Sequence, residues 1–450
     1  MLALAALHVL RRGATTVPGR VALAVDPLLP RAMAGRLREG VTLVTGTNGK
    51  TTTSAMLAAV LAEHGWRLAH NRGGANLRSG IATALLAARR ADAALLEVDE
   101  GTMPFAGGMG PRLAVVTNFF RDQLDRYGEL NSAVARVRSG LQAMPPGALA
   151  VLNADDPLVA ALGDASHLRV LYFGIDAKAA GEAAGEGDAA RSDAPPCPAC
   201  GATLVYAPRH YAHLGRYRCP DCGYARPAPA ARVVDWRPAG PRQPGTLRLA
   251  TPAGGLDLDL HLPGLYNAYN AAAAATAALA LGVPVATVAA ALGHFRHAFG
   301  RMEWLTLEGH PCCLVLVKNP AGCSLALRAA LDDPATGGAL VLALNDRTAD
   351  GTDVSWIWDA DFEVLAADQQ RFNRVVASGV RAADMALRLK YAGIAAERLA
   401  VVPDPLAAAR AAAQAAAPGA PIYALPTYTA MLDLRGALAR LGLLPPFWEV

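Results

Sequence analysis

Three groups of residues have the types and spacing for chemistry: a Gly- and Thr-rich turn, carboxylates that follow apolar runs, and paired cysteines. The turn GTNGKTT at 46–52 follows the apolar run VTLVT. Backbone N–H groups of such a turn and of the next helix N-terminus bind phosphate oxygens, and a lysine adds positive charge for the β- and γ-phosphates. Only four lysines occur beside 38 arginines, which favours a functional role for this one. We expect ATP to be bound by Gly46, Thr47, Asn48, Gly49, Lys50, Thr51 and Thr52.

A magnesium site is predicted next to this turn. The hydroxyl of Thr51 suits Mg²⁺. Glu97 ends the apolar run AALLE, and a carboxylate at the C-terminal end of a strand lies near the ligand crevice of an open α/β sheet. We therefore predict that Thr51 and Glu97 bind Mg²⁺. Asp99 and Glu100 are alternative ligands, and a solvated loop cluster is the simpler interpretation.

The cysteines indicate a second metal. Cys197-Pro-Ala-Cys200-Gly and Cys219-Pro-Asp-Cys222-Gly are matching knuckles with 18 residues between them. Four thiolates at this spacing are typical of a closed, structural Zn²⁺ site of the ribbon type. A pair of redox-active C-x-x-C motifs is the alternative. The surface between the knuckles, with Tyr206, Arg209, His210, Tyr211 and Arg218, is interpreted as filler or as a contact for a partner.

The remaining three cysteines argue against a glutaminase centre in this chain. Cys312 and Cys313 lie in an apolar run, and Cys323 lies in Ala-Gly-Cys-Ser without a glycine after it. A class I glutaminase needs a cysteine on a nucleophile elbow with a nearby histidine. We expect all three to be buried structural residues. The chain then lacks its own means of releasing ammonia from glutamine.

Composition narrows the class of protein. The 450 residues are 53% hydrophobic and 6% aromatic, and the net charge is +4. This charge does not argue for nucleic acid as a partner. The N-terminal run MLALAALHVL is too short to span a bilayer, and its arginines follow the run, unlike those of a signal peptide. We expect a cytoplasmic protein, with peripheral membrane contact through the first helix as an option.

Alternating strands and Ala-rich helices must position these groups, which predicts parallel sheets covered by helices. We predict a helix over Thr53–Glu63, another over Ala268–Leu281, and antiparallel strands within Val233–Leu262. Residues 177–195 are interpreted as a low-complexity linker. The predicted strands are Val41–Thr45, Ala93–Val98, Leu113–Thr117, Leu149–Asn153, Val170–Phe173, Cys312–Leu316, Ala339–Leu344, Phe362–Leu365, Arg374–Ala377, Leu399–Val402 and Pro421–Leu425.

Several motifs resemble those of the Mur ligases and folylpolyglutamate synthases, which activate a carboxylate as an acyl phosphate. They are the shortened loop TGTNGKT, the segment TNFFRDQLD from Thr117, the helix start LYNAYNAA, and FGRME at 299–303. The resemblance implies that Asn270 contacts adenine and that Arg301 braces the γ-phosphate. Gln123 replaces the metal-binding histidine of those ligases. Lys178, in the linker, does not suit their carbamylated lysine, so we predict that this device is absent.

The last 145 residues carry further motifs, and with these the chain resembles one branch of the ligases, the MurT family, over essentially its whole length. The motifs are VKNPAG at 317–322, DGTDVSWIWD at 350–359, and PTYTAML at 426–432. The resemblance implies ATP-dependent amidation of the α-carboxylate of D-glutamate in the lipid II stem peptide. Ammonia would come from a separate GatD-type glutaminase in a heterodimer. Asp353 is our candidate catalytic carboxylate; Asp346, Asp350 and Asp359 are alternatives, and a loop with capping carboxylates is the simpler interpretation.

The resemblance also implies the architecture. We expect an α/β fold with a Mur-ligase-like central ATPase domain, an inserted four-cysteine zinc ribbon, and a C-terminal Rossmann-like α/β domain. The short N-terminus leaves no room for the UDP-binding domain of the precursor ligases. The predicted ranges are 1–40 for an N-terminal helical segment, 41–304 for the ATPase domain with the ribbon at about 195–226, and 305–450 for the C-terminal domain.

Two other functions remain open at this stage. A stand-alone Mur-type or folylpolyglutamate-type ligase would add an amino acid instead of ammonia. A zinc-ribbon NTPase that works as a nucleic-acid or regulatory module would bind RNA or DNA with strong salt dependence. Acceptor use separates the first alternative, and binding to nucleic acid separates the second.

Overall fold

The computed structural model describes residues 16–71, 74–120, 130–164, 167–176, 195–237, 244–262, 264–296, 301–368 and 370–444, and only the backbone of Arg301. In this part of the chain, two large sheets and one separate hairpin contain the strands. The predicted α/β class is confirmed.

The first sheet has nine strands. They are β1 Val41–Thr45, β2 Leu68–His70, β3 Ala93–Glu97, β4 Leu113–Val116, β5 Leu149–Asn153, β6 Arg169–Ile175, β9 Ala231–Arg237, β10 Gly245–Thr251 and β11 Gly254–Leu260. Their order is β11-β10-β9-β6-β5-β4-β1-β3-β2. The pairings from β9 to β2 in this order are all parallel, whereas β10 is antiparallel to both β9 and β11.

Helices accompany this sheet on both faces. They are α1 Val17–Val25, α2 Leu29–Ala34, α3 Lys50–Glu63, α4 Arg78–Ala87, α5 Met103–Gly107, α6 Leu130–Gln142, α7 Pro157–Asp164, α8 Leu265–Ala280 and α9 Val285–His294. Consecutive residues of β1 serve opposite faces, because Leu43 and Val44 belong to different hydrophobic clusters. The apolar run at 41–45 is therefore buried on both sides, as expected of a central parallel strand.

The second sheet has six strands, β12 Arg301–Leu307, β13 His310–Val315, β14 Gly338–Ala343, β15 Phe372–Ser378, β16 Leu399–Val401 and β17 Ile422–Pro426. Their order is β12-β13-β17-β14-β15-β16, and the sheet is parallel except for the β12–β13 pair. Its helices are α10 Pro320–Leu331, α11 Val364–Ala367, α12 Ala382–Tyr391, α13 Pro405–Ala415 and α14 Tyr428–Arg440.

The hairpin is formed by β7 Val205–Tyr211 and β8 Leu214–Arg218, between the two cysteine knuckles. It lies in the chain between β6 and β9, which are themselves parallel neighbours. The knuckles and hairpin are thus an insertion in the first α/β unit, as predicted. The linker at 177–195 falls, except for its last residue, outside the described residues.

Most predicted strands agree with the observed ones, but one prediction was wrong. Phe362–Leu365 is not a strand: the chain there turns into α11 at Val364–Ala367. The alternation of Phe362 and Val364 mimicked a strand pattern, although only Phe362 and Leu365 are buried. The helix predicted over Thr53–Glu63 is present and ends as predicted, with an earlier start at Lys50, directly after the glycine turn.

Strands β2, β7, β8 and β12 lie outside the predicted set. Strand β2 is too short to show a pattern and is fixed by pairing with β3. Strand β12 starts at Arg301 and pairs with β13, so a domain boundary between 304 and 305 would divide it. Leu265–Ala280 matches the predicted helix with an earlier start.

Candidate functional site

The glycine turn forms a tight loop between β1 and α3. Gly46 and Gly49 have φ angles of 121° and 83°, a region that favours glycine. A Cβ at Gly46 would lie 2.3 Å from Thr117 Oγ1, and one at Gly49 would lie 2.2 Å from Asn270 Oδ1. Both glycines are therefore required by conformation and by space. The loop leads into a helix N-terminus, which is the geometry that binds phosphate.

Lys50 lies inside this loop. Its side chain is 8% exposed, and its Nζ lies 3.2 Å from Oε1 and 3.3 Å from Oε2 of Glu100. The ammonium also donates to the carbonyl oxygens of Gly46 and Thr47. Burial raises the pKa of Glu100, and the positive charge of Lys50 opposes this rise. The loop therefore holds its cation in place through groups of this chain.

The segment that follows β4 in sequence fixes the phosphate loop. Asn118 accepts from Thr47 N through its carbonyl oxygen at 2.8 Å and from Asn48 N through Oδ1 at 2.9 Å. Thr117 Oγ1 donates to the carbonyl oxygen of Asn48 at 2.7 Å. The Thr-Asn pair of the TNFFRDQLD segment thus shapes the loop. The later part of that segment, with Gln123, lies outside the described residues.

The three candidate carboxylates after β3 have different surroundings. Strand pairing sets Glu97 beside Val44, two residues before the loop. Glu97 Oε1 accepts from Asn76 Nδ2 at 3.3 Å, whereas Asp99 caps the next turn by accepting from Gly101 N at 2.9 Å. Glu100 pairs with Lys50 and Asp99 caps a turn, whereas the carboxylate of Glu97 does neither.

Thr51 supplies the second predicted oxygen donor for magnesium. It is half-buried at the start of α3, directly after the lysine of the loop. A hydroxyl and a carboxylate are hard oxygen donors of the kind that Mg²⁺ prefers. The residues present therefore fit Mg²⁺, and the ligand pair Thr51 and Glu97 stays a prediction.

A cleft adjoins the phosphate loop and is lined by residues of both α/β units, a common position for ligand sites. Asn270 lines it, and its Oδ1 accepts from Thr53 Oγ1 at 3.2 Å. Asn270 also donates to Asn267 Oδ1 at 3.1 Å. The residue predicted to contact adenine is thus held against the loop and α3. The lining residues are Asn48, Gly49, Thr52, Asn118, Tyr211, Tyr266, Asn270, Val315, Leu316, Gly322 and Leu325.

The second α/β unit reaches the phosphate loop through Asn319. Its Nδ2 donates to Asn48 Oδ1 at 2.9 Å, and its own Oδ1 caps α10 by accepting from Gly322 N at 2.8 Å. Our site prediction lacked Asn319. An Asn-Pro pair before an apolar stretch indicates a helix start, but nothing in the sequence shows that this cap faces a loop 271 positions away.

Arg301 and Glu303 of the FGRME segment lie at the start of β12. The side chain of Arg301 lies outside the described part of the structure, so its role at the γ-phosphate stays a prediction. Glu303 forms a buried bidentate pair with Arg435, with distances of 2.8 Å from Nε and 2.6 Å from Nη2. The glutamate therefore fixes α14 to the second sheet.

The carboxylates of the acidic tryptophan run, residues 346–359, lie in different environments. Asp350 is buried and accepts from the backbone N and hydroxyl of Thr429. Asp346 pairs with Arg381 at 3.2 Å. Asp353 and Asp359 are exposed, and Asp353 accepts from Ser355 N at 2.8 Å, which lowers its pKa. Asp353 is thus an ionised surface carboxylate. Its assignment as the catalytic acid stays a prediction.

The four knuckle cysteines converge. Their sulfur atoms all lie within 4.8 Å of one another, with Cys197 3.6 Å from Cys222 and Cys200 3.5 Å from Cys219. Four sulfurs each about 2.3 Å from one ion would be of order 3.8 Å apart, so this donor set fits tetrahedral Zn²⁺. A backbone hydrogen bond from Cys222 lowers the pKa of Cys219 to about 7.

The other three cysteines are buried, as predicted. Burial raises the pKa of the Cys312 and Cys323 thiols to about 12 and also raises the pKa of the Cys313 thiol well above its ordinary value. A thiol with such a pKa is a poor nucleophile at neutral pH.

Among the described helices, none is long and apolar enough to cross a membrane.

Comparison with protein families gives two matches. Residues 316–431 match the family described as MurT ligase C-terminal, and residues 44–193 match the Mur ligase middle domain. Two curated relatives are each 34% identical and are subunits MurT of lipid II isoglutaminyl synthase (glutamine-hydrolyzing). The Streptococcus pneumoniae protein aligns over 94% of this chain and 92% of its own length. The Staphylococcus aureus protein (strain COL) aligns over 85% and 84%.

Solved structures support the same fold. A pseudomurein peptide ligase type C from Methanothermus fervidus superposes with a TM-score of 0.69 at 23% identity, over 91% of this chain and 80% of its own. A MurF ligase from Thermotoga maritima, solved in complex with ADP, has a TM-score of 0.64 at 15% identity, over 92% and 83%. The Mur-ligase-like architecture predicted from the motifs is confirmed.

Proposed function

The chain belongs to the MurT family and is an ATP-dependent ligase of the Mur ligase fold, and on this premise we propose that it amidates the D-glutamate α-carboxylate of the lipid II stem peptide. The ammonia comes from a separate GatD-type glutaminase that forms a heterodimer with this chain. One observation carries the proposal: Asn48 of the phosphate loop and Asn319 of the second α/β unit meet beside a cleft that both units line. The burial of Cys312, Cys313 and Cys323 supports a separate protein as the source of ammonia, because none of these thiols is accessible to glutamine.

In the proposed reaction, a carboxylate oxygen of the substrate attacks the γ-phosphorus of ATP, and ADP leaves. Ammonia then attacks the acyl carbon of the resulting acyl phosphate, the C–O bond to phosphate breaks, and the nitrogen loses one proton to give the amide and orthophosphate. The backbone N–H groups of the loop and Lys50 stabilise charge on the transferring phosphoryl group. Arg301 is proposed to add a guanidinium there.

Two metals accompany this proposal. Thr51 and Glu97 hold Mg²⁺, which neutralises phosphate charge when bound. Zn²⁺, held by Cys197, Cys200, Cys219 and Cys222, stabilises the ribbon. Because the substrate is lipid-linked, we place the enzyme at the inner face of the plasma membrane as a peripheral protein.

The test combines the chain, its glutaminase, lipid II, ATP, Mg²⁺ and glutamine. Mass spectrometry should show conversion of one carboxylate to an amide, and ¹⁸O from the labelled carboxylate should appear in orthophosphate. Turnover with a free amino acid but none with ammonia would contradict the proposal in favour of a stand-alone amino-acid ligase. Salt-sensitive binding to RNA with carboxylate-independent ATP hydrolysis would favour the nucleic-acid module.

A further inference from the structure

The tip of the cysteine-flanked hairpin enters the ATPase core. Tyr211 and Leu214, on either side of the hairpin turn, are buried in the same hydrophobic cluster as Val44 of β1 and Met56 of α3. Gly215 N also donates to the carbonyl oxygen of Asp155 at 3.0 Å. The inserted module is therefore not a separate appendage, because its tip is part of the core that supports the phosphate loop.

One side of the tip reaches the nucleotide cleft. Tyr211 lines this cleft together with Gly49 and Asn270. Its ring stacks on that of Phe120 with a centroid separation of 6.0 Å and an interplanar angle of 11°. The ring of Tyr269 meets it edge-on at 5.8 Å. Two aromatic neighbours thus fix the Tyr211 ring as a wall of the cleft.

The other side of the tip supports the phosphate loop through His213. Its Nε2 lies 3.1 Å from Asp156 Oδ2, which also accepts from Phe119 N at 2.8 Å. The His213 ring packs on Phe120 at 4.7 Å. Phe120 N in turn donates to Thr47 Oγ1 at 3.1 Å. A continuous set of contacts therefore joins the hairpin to a residue of the phosphate loop.

We propose that this hairpin tip is part of the nucleotide site: Tyr211 contacts the base and ribose of the bound nucleotide, and His213 positions the phosphate loop through Asp156 and Phe120. The proposal rests on the nucleotide site given under the proposed function. The two residues act on different parts of the ligand. Tyr211 lines the cleft together with Asn270, the residue predicted to contact adenine, whereas His213 contacts the residues that hold the phosphate loop.

The test measures dissociation constants of ADP and of inorganic pyrophosphate, which lacks the nucleoside, for the full chain with its glutaminase and Mg²⁺. Tyr211→Ala should weaken ADP binding about tenfold, as loss of base–aromatic stacking does, with pyrophosphate binding unchanged. Tyr211→Phe should restore the ADP value. An unchanged ratio of ADP to pyrophosphate affinity in Tyr211→Ala would overturn the role of Tyr211.

His213→Ala should weaken ADP and pyrophosphate binding in parallel, about fivefold for one lost hydrogen bond, and His213→Gln should recover most of it. Arg216→Ala, an exposed change on the same hairpin, is the matched control and should alter neither constant. If His213→Ala leaves both constants at the wild-type value, the positioning role is wrong. If the wild-type chain binds no ADP, the proposed function itself fails.

A second measurement needs no substitution in the hairpin. Coupling between two sites is reciprocal, so ADP should strengthen zinc retention by the four cysteines in a chelator competition. Lys50→Ala, with the same ADP present, corrects for chelation of zinc by free nucleotide. A several-fold shift of the chelator midpoint in wild type alone supports the coupling; equal shifts in both proteins overturn it.

Discussion

The phosphate loop is held by contacts with other residues of this chain, whereas the acidic tryptophan run is largely exposed. In the loop, Lys50 is buried and pairs with Glu100, and Asn48 is tied to Asn118 and Asn319. In the run, Asp353 and Asp359 are exposed, and Trp358 is 48% exposed. The loop is thus completed by residues of this chain.

The run exposes two of its carboxylates, although other residues of the run are buried and anchor it in the fold. Asp350 is buried against Thr429 near the start of α14, and Ile357 lies in the core. A rigid base with exposed carboxylates suits a role toward a partner or a large substrate. The phosphate loop is therefore held by groups of this chain, whereas the acidic run exposes two carboxylates, which we propose act toward a partner or the substrate. Four predictions test this difference.

Lys50→Ala should have the largest effect. It removes the cation of the loop, and loss of such a preorganised charge lowers kcat by about 10³-fold. The measurement is ATP-dependent amidation at saturating glutamine. Lys390→Ala, a change of an exposed lysine, should leave the rate unchanged. Substantial amidation by Lys50→Ala would show that the loop is not the phosphate site.

Asp353→Asn should lower glutamine-dependent amidation by about 10²-fold, a typical contribution of one acid–base group, without a change in ADP affinity. Rates with glutamine and with ammonium chloride separate two roles for Asp353. A defect confined to glutamine places Asp353 at the glutaminase interface, and a defect with both sources places it at the amidation step.

Asp359→Asn is the matched control for this prediction, because it is an exposed acid of the same run. Wild-type rates in Asp353→Asn with both nitrogen sources would remove Asp353 from the candidate site. A defect in Asp359→Asn instead would transfer the assignment to that residue.

Asp350→Ala tests the rigid base of the run. It leaves the buried backbone N–H of Thr429 without its carboxylate acceptor, so the free energy of unfolding should fall by about 1–3 kcal/mol. Denaturant unfolding of the full chain measures this. Asp359→Ala should change stability by less than about 0.5 kcal/mol, as surface changes do. Equal stability of the two variants would show that the contacts of Asp350 with Thr429 do not stabilise the fold.

The smallest effect concerns pH and Glu100. Burial raises the pKa of Glu100, so the folded state binds more protons than the unfolded state between the ordinary and the raised pKa. Stability from this group therefore falls as pH rises through that window. Relative to wild type, Glu100→Gln should gain stability as pH rises from about 4.5 toward neutrality. A pH-independent difference between the two unfolding curves would contradict this.

Local chemistry could be predicted from the sequence. The turn from Gly46 to Thr51 is encoded by adjacent residues, since glycine conformations and a helix start are local properties. The metal centre of the four cysteines was predictable for the same reason, because two C-x-x-C turns at ribbon spacing define one centre. Buried parallel strands such as Leu113–Val116 are continuous apolar runs, which also made them predictable.

Contacts between distant segments could not be predicted. The Lys50–Glu100 pair joins residues 50 positions apart, and the Asn48–Asn319 hydrogen bond joins residues 271 positions apart. Tyr211 was interpreted as filler or as part of a partner-facing surface, because its own neighbours give no sign of the cleft it lines. The strand predicted at Phe362–Leu365 is wrong because a run of four residues does not distinguish the helical period from the strand period.

Three edge strands of the two sheets affect how the protein can associate with other copies of itself. The first sheet ends on the three-residue strand β2 and on β11, where Asp257 and Asp259 are exposed; the second ends on one side at the three-residue β16. Short or charged borders resist strand-by-strand growth into aggregates. The two short edges offer another copy little backbone for pairing, and the third carries exposed carboxylates, so self-association into fibres is discouraged at all three, and a binding partner there must recognise side chains.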